Sequence, residues 1–259
     1  MAVPAITREK FDAVLFDLDG VLTSTAKVHA AAWKEAFDVF LKNRAELHNV
    51  SFVPFDIGED YRRYVDGKPR LEGIQSFLAS RNIHLDYGTP SDLSTAETVC
   101  GLGNQKNKLV KKIIERDGVE AYPGTAKVLD FLRRQGYKTA VVSSSKNCAA
   151  VLKAAGIESF FDVRVDGQTA TELSLAGKPD PEMFLVAARQ LGVEPKRSVV
   201  VEDAIAGVQA GRRGGFGLVI GIDRTGCADE LIKQGADIVV GDLEELLPHA
   251  PRDYDHAAA

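Results

Sequence analysis

Two pairs of acidic residues stand where a short apolar run gives way to polar sequence. Asp17 and Asp19 follow the run AVLF, and Glu202 and Asp203 follow the run SVVV. Such a run, bounded by polar residues, is typical of a buried strand in a parallel sheet, and ligands bind at the carboxyl ends of those strands. Because side chains alternate along a strand, Asp17 and Asp19 can face one way. The alternative is that they are ordinary turn or cap residues.

Four carboxylates at one edge of a sheet would repel one another unless some are protonated or a cation is bound. Oxygen ligands without nearby His or Cys favour Mg²⁺, which also takes phosphate oxygens as ligands. We therefore expect Asp17, Asp203 and the backbone carbonyl of Asp19 to hold Mg²⁺. Glu202 is expected either to bind the ion or to lie behind the residues that do. Solvated surface acids are the alternative interpretation.

A carboxylate that attacks phosphorus forms an aspartyl-phosphate, and its negative charge must be offset by cations and hydrogen-bond donors. Ser143 follows the apolar run ending at 142 and offers a hydroxyl, and the backbone N–H groups after it, from Ser144 on, add donors. Lys178 offers a cation, although alone it would be interpreted as a solvated loop lysine. Asp19, two residues after Asp17, is the natural general acid and base for such a transfer.

The composition limits the classes of partner. The 259 residues carry 37 acidic and 32 basic side chains, a net charge of −5, which argues against a nucleic-acid binder. Three scattered cysteines suggest neither a disulfide framework nor a zinc site and fit a reducing cytoplasm. No apolar run approaches the ~20 residues of a membrane span, and the N-terminus lacks a signal-peptide core. The tail DYDHAAA carries no readable pattern and is a candidate for disorder.

The elements that must position these residues form a regular series after residue 119. Alternating apolar runs and helical patterns predict a parallel sheet covered by helices on both faces. Residues 27–118 show helical patterns instead, and Ser24 or Thr25 is expected to cap the first helix. The prediction is an α/β, Rossmann-like, doubly wound core over 1–26 and 119–259, with a helical cap domain over 27–118 inserted after the first strand. Later strands are predicted at 138–142, 161–165, 198–201, 217–222 and 237–240, and helices at 71–80, 106–115, 125–135, 149–155, 181–191 and 228–234.

No nucleotide-binding loop is present in the sequence. The stretch Gly101-Leu102-Gly103 lies in the helical insertion, not after a strand, and lacks the third glycine of a dinucleotide fingerprint. The pattern G-x-x-x-x-G-K-[ST] does not occur.

The segment DLDGVLTSTAKVHAAAWK, directly after the first strand, resembles the haloacid dehalogenase-like superfamily of phosphotransferases, and its β-phosphoglucomutase branch in particular. The resemblance implies that Asp17 is the nucleophile and Asp19 the acid/base. The motif K-P-x-P that begins at Lys178 resembles the third motif of the family, which implies a role for this lysine at the phosphoryl group. The family's fold, a Rossmann-like core with a cap, and its Mg²⁺ are implied with it.

The resemblance also implies which residues choose the substrate. Residues 66–70 resemble the family's substrate-specificity loop, although in isolation they would form an ordinary exposed turn. Residues 145–147 resemble the stretch that binds the distal phosphate in the mutase branch. Arg70 suits a phosphate because its guanidinium binds two oxygens at once. His29 is either a structural histidine or a hinge or substrate contact. The implied substrate-binding set is Gly67, Lys68, Arg70, Ser145, Lys146, Asn147, His29 and Lys106.

The implied reaction is the interconversion of β-D-glucose 1-phosphate and glucose 6-phosphate, through an aspartyl-phosphate and a bound β-glucose 1,6-bisphosphate. The main alternative is a Mg²⁺-dependent sugar-phosphate phosphatase, in which water is the final acceptor. A dehalogenase is disfavoured, because Asp19 supplies a second acid that carbon–halogen displacement does not need. A catalytically silent binding protein is the alternative from another class. A monomer acting on a small phosphorylated sugar is expected.

Overall fold

A six-stranded parallel sheet forms the centre of the molecule. The computed structural model describes residues 6–248. The strand order is β3-β2-β1-β4-β5-β6, so the first strand lies between β2 and β4. Val141 of β2 and Val201 of β4 both pair with Phe16 of β1, and the carboxyl ends of the three strands therefore lie side by side. The strands are β1 Ala13–Phe16, β2 Lys138–Val142, β3 Val163–Val165, β4 Ser198–Glu202, β5 Leu218–Ile222 and β6 Ile238–Val240.

Helices cover both faces of this sheet, as predicted for a doubly wound fold. Val14 and Phe16 point into one apolar cluster, whereas Ala13 and Leu15 point into the other, because side chains alternate along β1. Both clusters are fully enclosed at this strand, which explains its uninterrupted apolar run. The helices are α1 Thr25–His48, α2 Arg70–Ser80, α3 Val99–Asp117, α4 Pro123–Arg134, α5 Cys148–Ala154, α6 Gly167–Leu173, α7 Glu182–Leu191, α8 Ile205–Arg213 and α9 Ala228–Lys233.

The helices α1, α2 and α3, which lie between β1 and β2 in the chain, enclose an apolar cluster of their own. Phe37 is fully buried there, with ring centroids 4.3 Å from Phe77 and 5.0 Å from Phe55, and Trp33 stacks on it at 5.1 Å. Aromatic side chains supply much apolar area per residue, so three helices together with Phe55, from the chain between α1 and α2, suffice to build a core. Such a cluster is what an inserted cap needs, and the domain limits 27–118 stay a prediction.

Several expectations about local structure are wrong. Ser24 occupies the N-cap position of α1, but neither hydroxyl caps the helix: that of Ser24 donates to the carbonyl of Glu120 at 3.4 Å, and that of Thr25 donates to Asp19. Both hydroxyls therefore bond to residues outside α1 and not to the N–H groups at the start of that helix. Helix α6 was not predicted, because its sequence GQTATEL has no clear apolar period; the Asp166 carboxylate begins it by accepting from the N–H groups of Gln168 and Thr169.

The third helix begins earlier than predicted. It starts at Val99, and the Thr98 hydroxyl caps it by accepting from the N–H of Gly101 at 2.9 Å. Gly101 and Gly103 thus lie inside a helix, in agreement with the absence of a dinucleotide loop. Within residues 6–248, no helix is both long and apolar enough to cross a membrane. The tail DYDHAAA lies outside the described residues.

Candidate active site

Three carboxylates meet at the ends of β1 and β4. Oxygen atoms of Asp17, Glu202 and Asp203 all lie within 4.8 Å of one another. Asp17 and Glu202 are buried, and Asp203 is partly buried. Asp17 follows β1 directly, and Glu202 is the last residue of the neighbouring strand β4, so the parallel register brings the two together. Hard oxygen donors at this spacing are suited to Mg²⁺.

Lys178 lies beneath these carboxylates, completely buried. Its Nζ atom is 2.5 Å from Oδ1 of Asp17 and 2.5 Å from Oε1 of Glu202, and it donates to the carbonyl of Val142 at 2.9 Å. Burial opposes the charge on Lys178, but the two carboxylates outweigh it and raise the pKa of the lysine above its ordinary value. A solvated loop lysine is therefore excluded.

One lysine does not balance the charge of this cluster. Burial and the neighbouring acids raise the pKa of Asp17 to about 6 and that of Glu202 to about 7, against the opposing effect of Lys178. Burial also raises the pKa of Asp203 well above its ordinary value, and Asp66 and Asp17 add to the shift. A divalent cation among these oxygens would remove the repulsion that disfavours the charged forms. Donor type and electrostatics both fit Mg²⁺.

Asp19 has different partners from Asp17. Its Oδ1 accepts from the hydroxyl of Thr25, its Oδ2 accepts from the Ser143 hydroxyl at 3.5 Å, and Nε2 of His29 lies 3.7 Å from Oδ1. Burial raises the pKa of Asp19, and the hydrogen bond from Thr25 partly offsets that effect. Two neighbouring carboxylates with different surroundings can take different roles in proton and phosphoryl transfer.

Lys106, which is buried, and His29, which is partly buried, form a pair next to Asp19. The Lys106 Nζ atom lies 3.0 Å from Nδ1 of His29 and 4.7 Å from the centroid of the Trp33 ring. Burial lowers the pKa of Lys106 to about 7 and that of His29 well below its ordinary value. Lys106 belongs to α3 and His29 to α1. The predicted sugar contact Lys106 therefore lies against His29, for which a structural role and a hinge or substrate contact were both left open.

The loop after β2 contacts the segment predicted to choose the substrate. The Ser144 hydroxyl donates to the carbonyl of Gly67 at 2.8 Å, and the amide of Asn147 donates to Asn107 of α3 at 3.0 Å. Gly67 has φ +69°, and a Cβ atom there would lie 2.9 Å from Cβ of Ala204. Glycine is therefore required for this close approach.

A cavity of about 430 Å³ lies between these parts. The acidic side chains of Asp17, Asp19 and Asp203 line one part of it, and Arg70 and Lys146 are also in its wall. The remaining predicted site residues in the wall are His29, Gly67, Lys68, Lys106, Ser143, Ser144, Ser145 and Asn147.

The two cations of the segment 66–70 have different surroundings. Lys68 donates to the hydroxyl of Ser76 at 3.0 Å, which ties it to α2. Arg70 begins α2, and burial lowers its pKa. The structure thus leaves Arg70 the better placed of the two for an anion.

The chain matches the family of haloacid dehalogenase-like hydrolases over residues 11–215. It belongs to this haloacid dehalogenase-like family. The β-phosphoglucomutase of Mycobacterium bovis is 50% identical over 242 residues, which cover 92% of each chain. That of Bacillus subtilis is 31% identical, over 90% of this chain and 91% of the relative. The crystal structure of β-phosphoglucomutase from Clostridium difficile superposes with a TM-score of 0.69 at 27% identity and covers 92% of this chain and 93% of that chain.

The chain is therefore an enzyme of a phosphotransferase family, and both the family and the fold predicted from its sequence are confirmed. Sequence reasoning missed several residues of this haloacid dehalogenase-like site. Tyr61 begins the π-helical turn Tyr61–Val65 and Asp66 follows it; both line the cavity, and burial raises the pKa of Asp66 to about 7. Thr25 was expected only as a helix cap, although its position six residues after Asp19 was a usable signal.

Proposed function

We propose that this chain is a β-phosphoglucomutase, which interconverts β-D-glucose 1-phosphate and glucose 6-phosphate. The reaction proceeds through an aspartyl-phosphate at Asp17 and a bound β-glucose 1,6-bisphosphate. The observation that carries the proposal is the division of partners between the two aspartates: Asp17 is paired with Lys178, whereas Asp19 is bound by hydroxyl groups. The 50% identity with a β-phosphoglucomutase supports the same reaction.

Asp17 is the nucleophile. Lys178 holds one carboxylate oxygen in place, which leaves the other free to attack phosphorus in line with the leaving oxygen. Mg²⁺, bound by Asp17, Asp203 and the carbonyl of Asp19 with Glu202 behind, would offset the charge of the incoming phosphoryl group. The Ser143 hydroxyl and the N–H of Ser144 donate to the oxygens of that group.

Asp19 moves the proton. When the phosphorylated Asp17 gives its phosphoryl group to the sugar hydroxyl, Asp19 accepts the proton of that hydroxyl. After the bisphosphate has turned round, Asp17 attacks the other phosphate, and Asp19 returns the proton to the leaving sugar oxygen. Thr25 and His29 keep the Asp19 carboxyl directed at these oxygens.

The second phosphate of the bisphosphate is held away from the reacting centre. Arg70 and Lys146 supply positive charge there, and Ser145 and Asn147 supply hydrogen bonds. Gly67, Lys68, His29 and Lys106 complete the surroundings of the sugar. Binding across the segment 66–70 and the loop after β2 excludes water from the aspartyl-phosphate, which separates a mutase from a phosphatase.

A coupled assay tests the proposal. Wild-type protein is given β-glucose 1-phosphate, Mg²⁺ and a trace of β-glucose 1,6-bisphosphate, and glucose 6-phosphate and inorganic phosphate are both measured. The expected result is isomerisation with far slower release of phosphate. Phosphate released as fast as glucose 6-phosphate forms would identify a phosphatase and overturn the mutase proposal. The proposal includes a monomer, which size-exclusion chromatography with light scattering tests, and a cytoplasmic location, which cell fractionation tests.

A further inference from the structure

Arg224, in the loop after β5, contacts both crossing segments, through which the chain passes between the sheet and the helices α1–α3. The first crossing segment is residues 17–24, and the second is residues 118–122. The Nε atom of Arg224 donates to the carbonyl of Gly20 at 3.0 Å, in the first segment. Its guanidinium lies over the ring of Tyr122, 3.7 Å from the centroid, in the second segment. Arg224 is absent from the cavity wall, so a contact with substrate does not explain this arrangement.

The guanidinium of Arg224 is itself fixed. Its Nη1 atom donates to the carbonyl of Gly241 at 3.0 Å and to Oδ2 of Asp242 at 3.1 Å, both after β6. The side chain is 20% exposed. Because the guanidinium is planar, these two contacts and the stacking on Tyr122 leave little freedom for Nε. Arg224 therefore presents a rigid donor to Gly20.

Gly20 lies directly against a carboxylate of the proposed metal site. It has φ +93°, and a Cβ atom there would lie 1.7 Å from Oδ2 of Asp203. Its N–H donates to the carbonyl of Thr23 at 2.8 Å, and its carbonyl accepts from Arg224. The N–H of Gly20 shares one planar peptide with the carbonyl of Asp19. Fixing Gly20 therefore fixes both the Asp19 carbonyl and the space available to Asp203.

The second segment strengthens the same arrangement. Thr23 forms an isolated bridge with Ala121, and the N–H of Tyr122 donates to the carbonyl of Leu22 at 3.0 Å. The two crossing segments are thus bonded to each other, and Arg224 attaches both of them to the sheet.

We propose that Arg224 is a positioning residue for the Mg²⁺ site: it holds the turn at Gly20 so that the Asp19 carbonyl and the Asp203 carboxylate are arranged to bind the ion. The inference rests on the proposed function, which assigns Mg²⁺ to those groups. The sign of the effect identifies the mechanism. If the charge of Arg224 alone mattered, its removal would strengthen cation binding, because like charges repel. If position matters, removal weakens cation binding.

The test is the dissociation constant for Mg²⁺, measured by isothermal titration calorimetry without substrate. Arg224→Met keeps an unbranched stem over Tyr122 and removes the donors, and we expect it to weaken Mg²⁺ binding about tenfold, as loss of a charge-assisted hydrogen bond does. Arg212→Met is the matched control, because Arg212 is 64% exposed and pairs with Asp237 at 3.2 Å. The control should bind Mg²⁺ like the wild type.

A milder variant keeps the test valid should Arg224→Met fail to fold. Asp242→Asn removes the charged partner of Arg224 but keeps a side-chain oxygen for the turn that follows, and Mg²⁺ binding should weaken about two- to threefold. Unchanged or tighter Mg²⁺ binding in folded Arg224→Met would overturn this proposal and leave the proposed function standing. If Arg224→Met does not fold, the same result in Asp242→Asn would do so. If the wild type itself binds no Mg²⁺, the metal assignment of the proposed function fails, and this proposal fails with it.

Discussion

The ammonium group of Lys178 lies 2.5 Å from the carboxylate of Asp17, although 161 residues separate them in the chain. Both side chains are buried, and Glu202 lies at the same distance from the lysine on its other side. The lysine therefore orients the proposed nucleophile and keeps two buried acids in one place. Its removal should affect stability as well as turnover.

Lys178→Met should abolish measurable isomerisation and lower the free energy of unfolding by roughly 3–5 kcal/mol, because it leaves Asp17 and Glu202 buried without a cation. Urea denaturation and the coupled assay measure the two effects. Lys127→Met is the matched control, since Lys127 forms an exposed ion pair with Glu244 at 2.6 Å. A stable, active Lys178→Met protein would show that the buried ion pairs are dispensable.

The stability of the protein in EDTA should fall as the pH rises from about 5 to 8. Asp17 and Glu202 have pKa values of about 6 and about 7 in the fold, against ordinary values of 3.8 and 4.5, so the folded state binds more protons than the unfolded state. Their stabilisation is fully present below about pH 4 and is lost as the pH passes through the raised values.

Thermal unfolding across this pH range measures the effect. Saturating Mg²⁺ should flatten the decline, because the cation stabilises the charged carboxylates and binds the folded state preferentially. A midpoint in EDTA that rises steadily from pH 5 to 8 would contradict the electrostatics described for this site.

Thr25→Val should move the acidic limb of the pH profile of kcat/KM to higher pH. The Thr25 hydroxyl stabilises the charged form of Asp19, so its loss raises the pKa of the group that must accept the sugar proton. The exposed Thr89→Val is the control. An unshifted acidic limb in Thr25→Val would mean that Asp19 does not control that limb.

Arg70→Ala should separate two activities. Isomerisation requires a grip on the second phosphate of the bisphosphate and should fall on the order of a hundredfold. Hydrolysis of acetyl phosphate, which has no second phosphate, should change far less. Arg63→Ala is the control. Arg63 lies between α1 and α2 in the chain, is 60% exposed and pairs with Glu59. Equal losses in both activities would make Arg70 a structural residue.

The sequence was sufficient to predict the strands that carry the acids, but it could not show their partners. The runs before Asp17 and Glu202 are apolar on both faces because both faces of the sheet are covered, and that pattern is local. The pairing of Lys178 with both acids depends on how the loop at 174–181 packs under β1 and β4, which no local pattern encodes. Helix α6 was missed although the residue that starts it is local. Its start depends on a single side chain, Asp166, and its sequence has no apolar period.

The contacts of the segment 66–70 were also not predictable from the sequence. Its glycine and its arginine were recognisable by type, whereas the contact of Gly67 with Ala204 and Ser144 arises only when the helices lie over the sheet. Arg224 carried no sequence signal, since its contacts reach 204 residues back to Gly20.

Covalent labelling of Asp17 is the direct test of the aspartyl-phosphate. Wild type, Asp17→Asn and the exposed control Asp229→Asn are mixed with ³²P-labelled β-glucose 1,6-bisphosphate and Mg²⁺, quenched in acid, and digested for peptide mapping. We expect an acid-stable, hydroxylamine-sensitive label on the peptide containing Asp17 in the wild type and in Asp229→Asn, and none in Asp17→Asn. Label retained by Asp17→Asn, or carried by another peptide of an active wild type, would contradict this expectation.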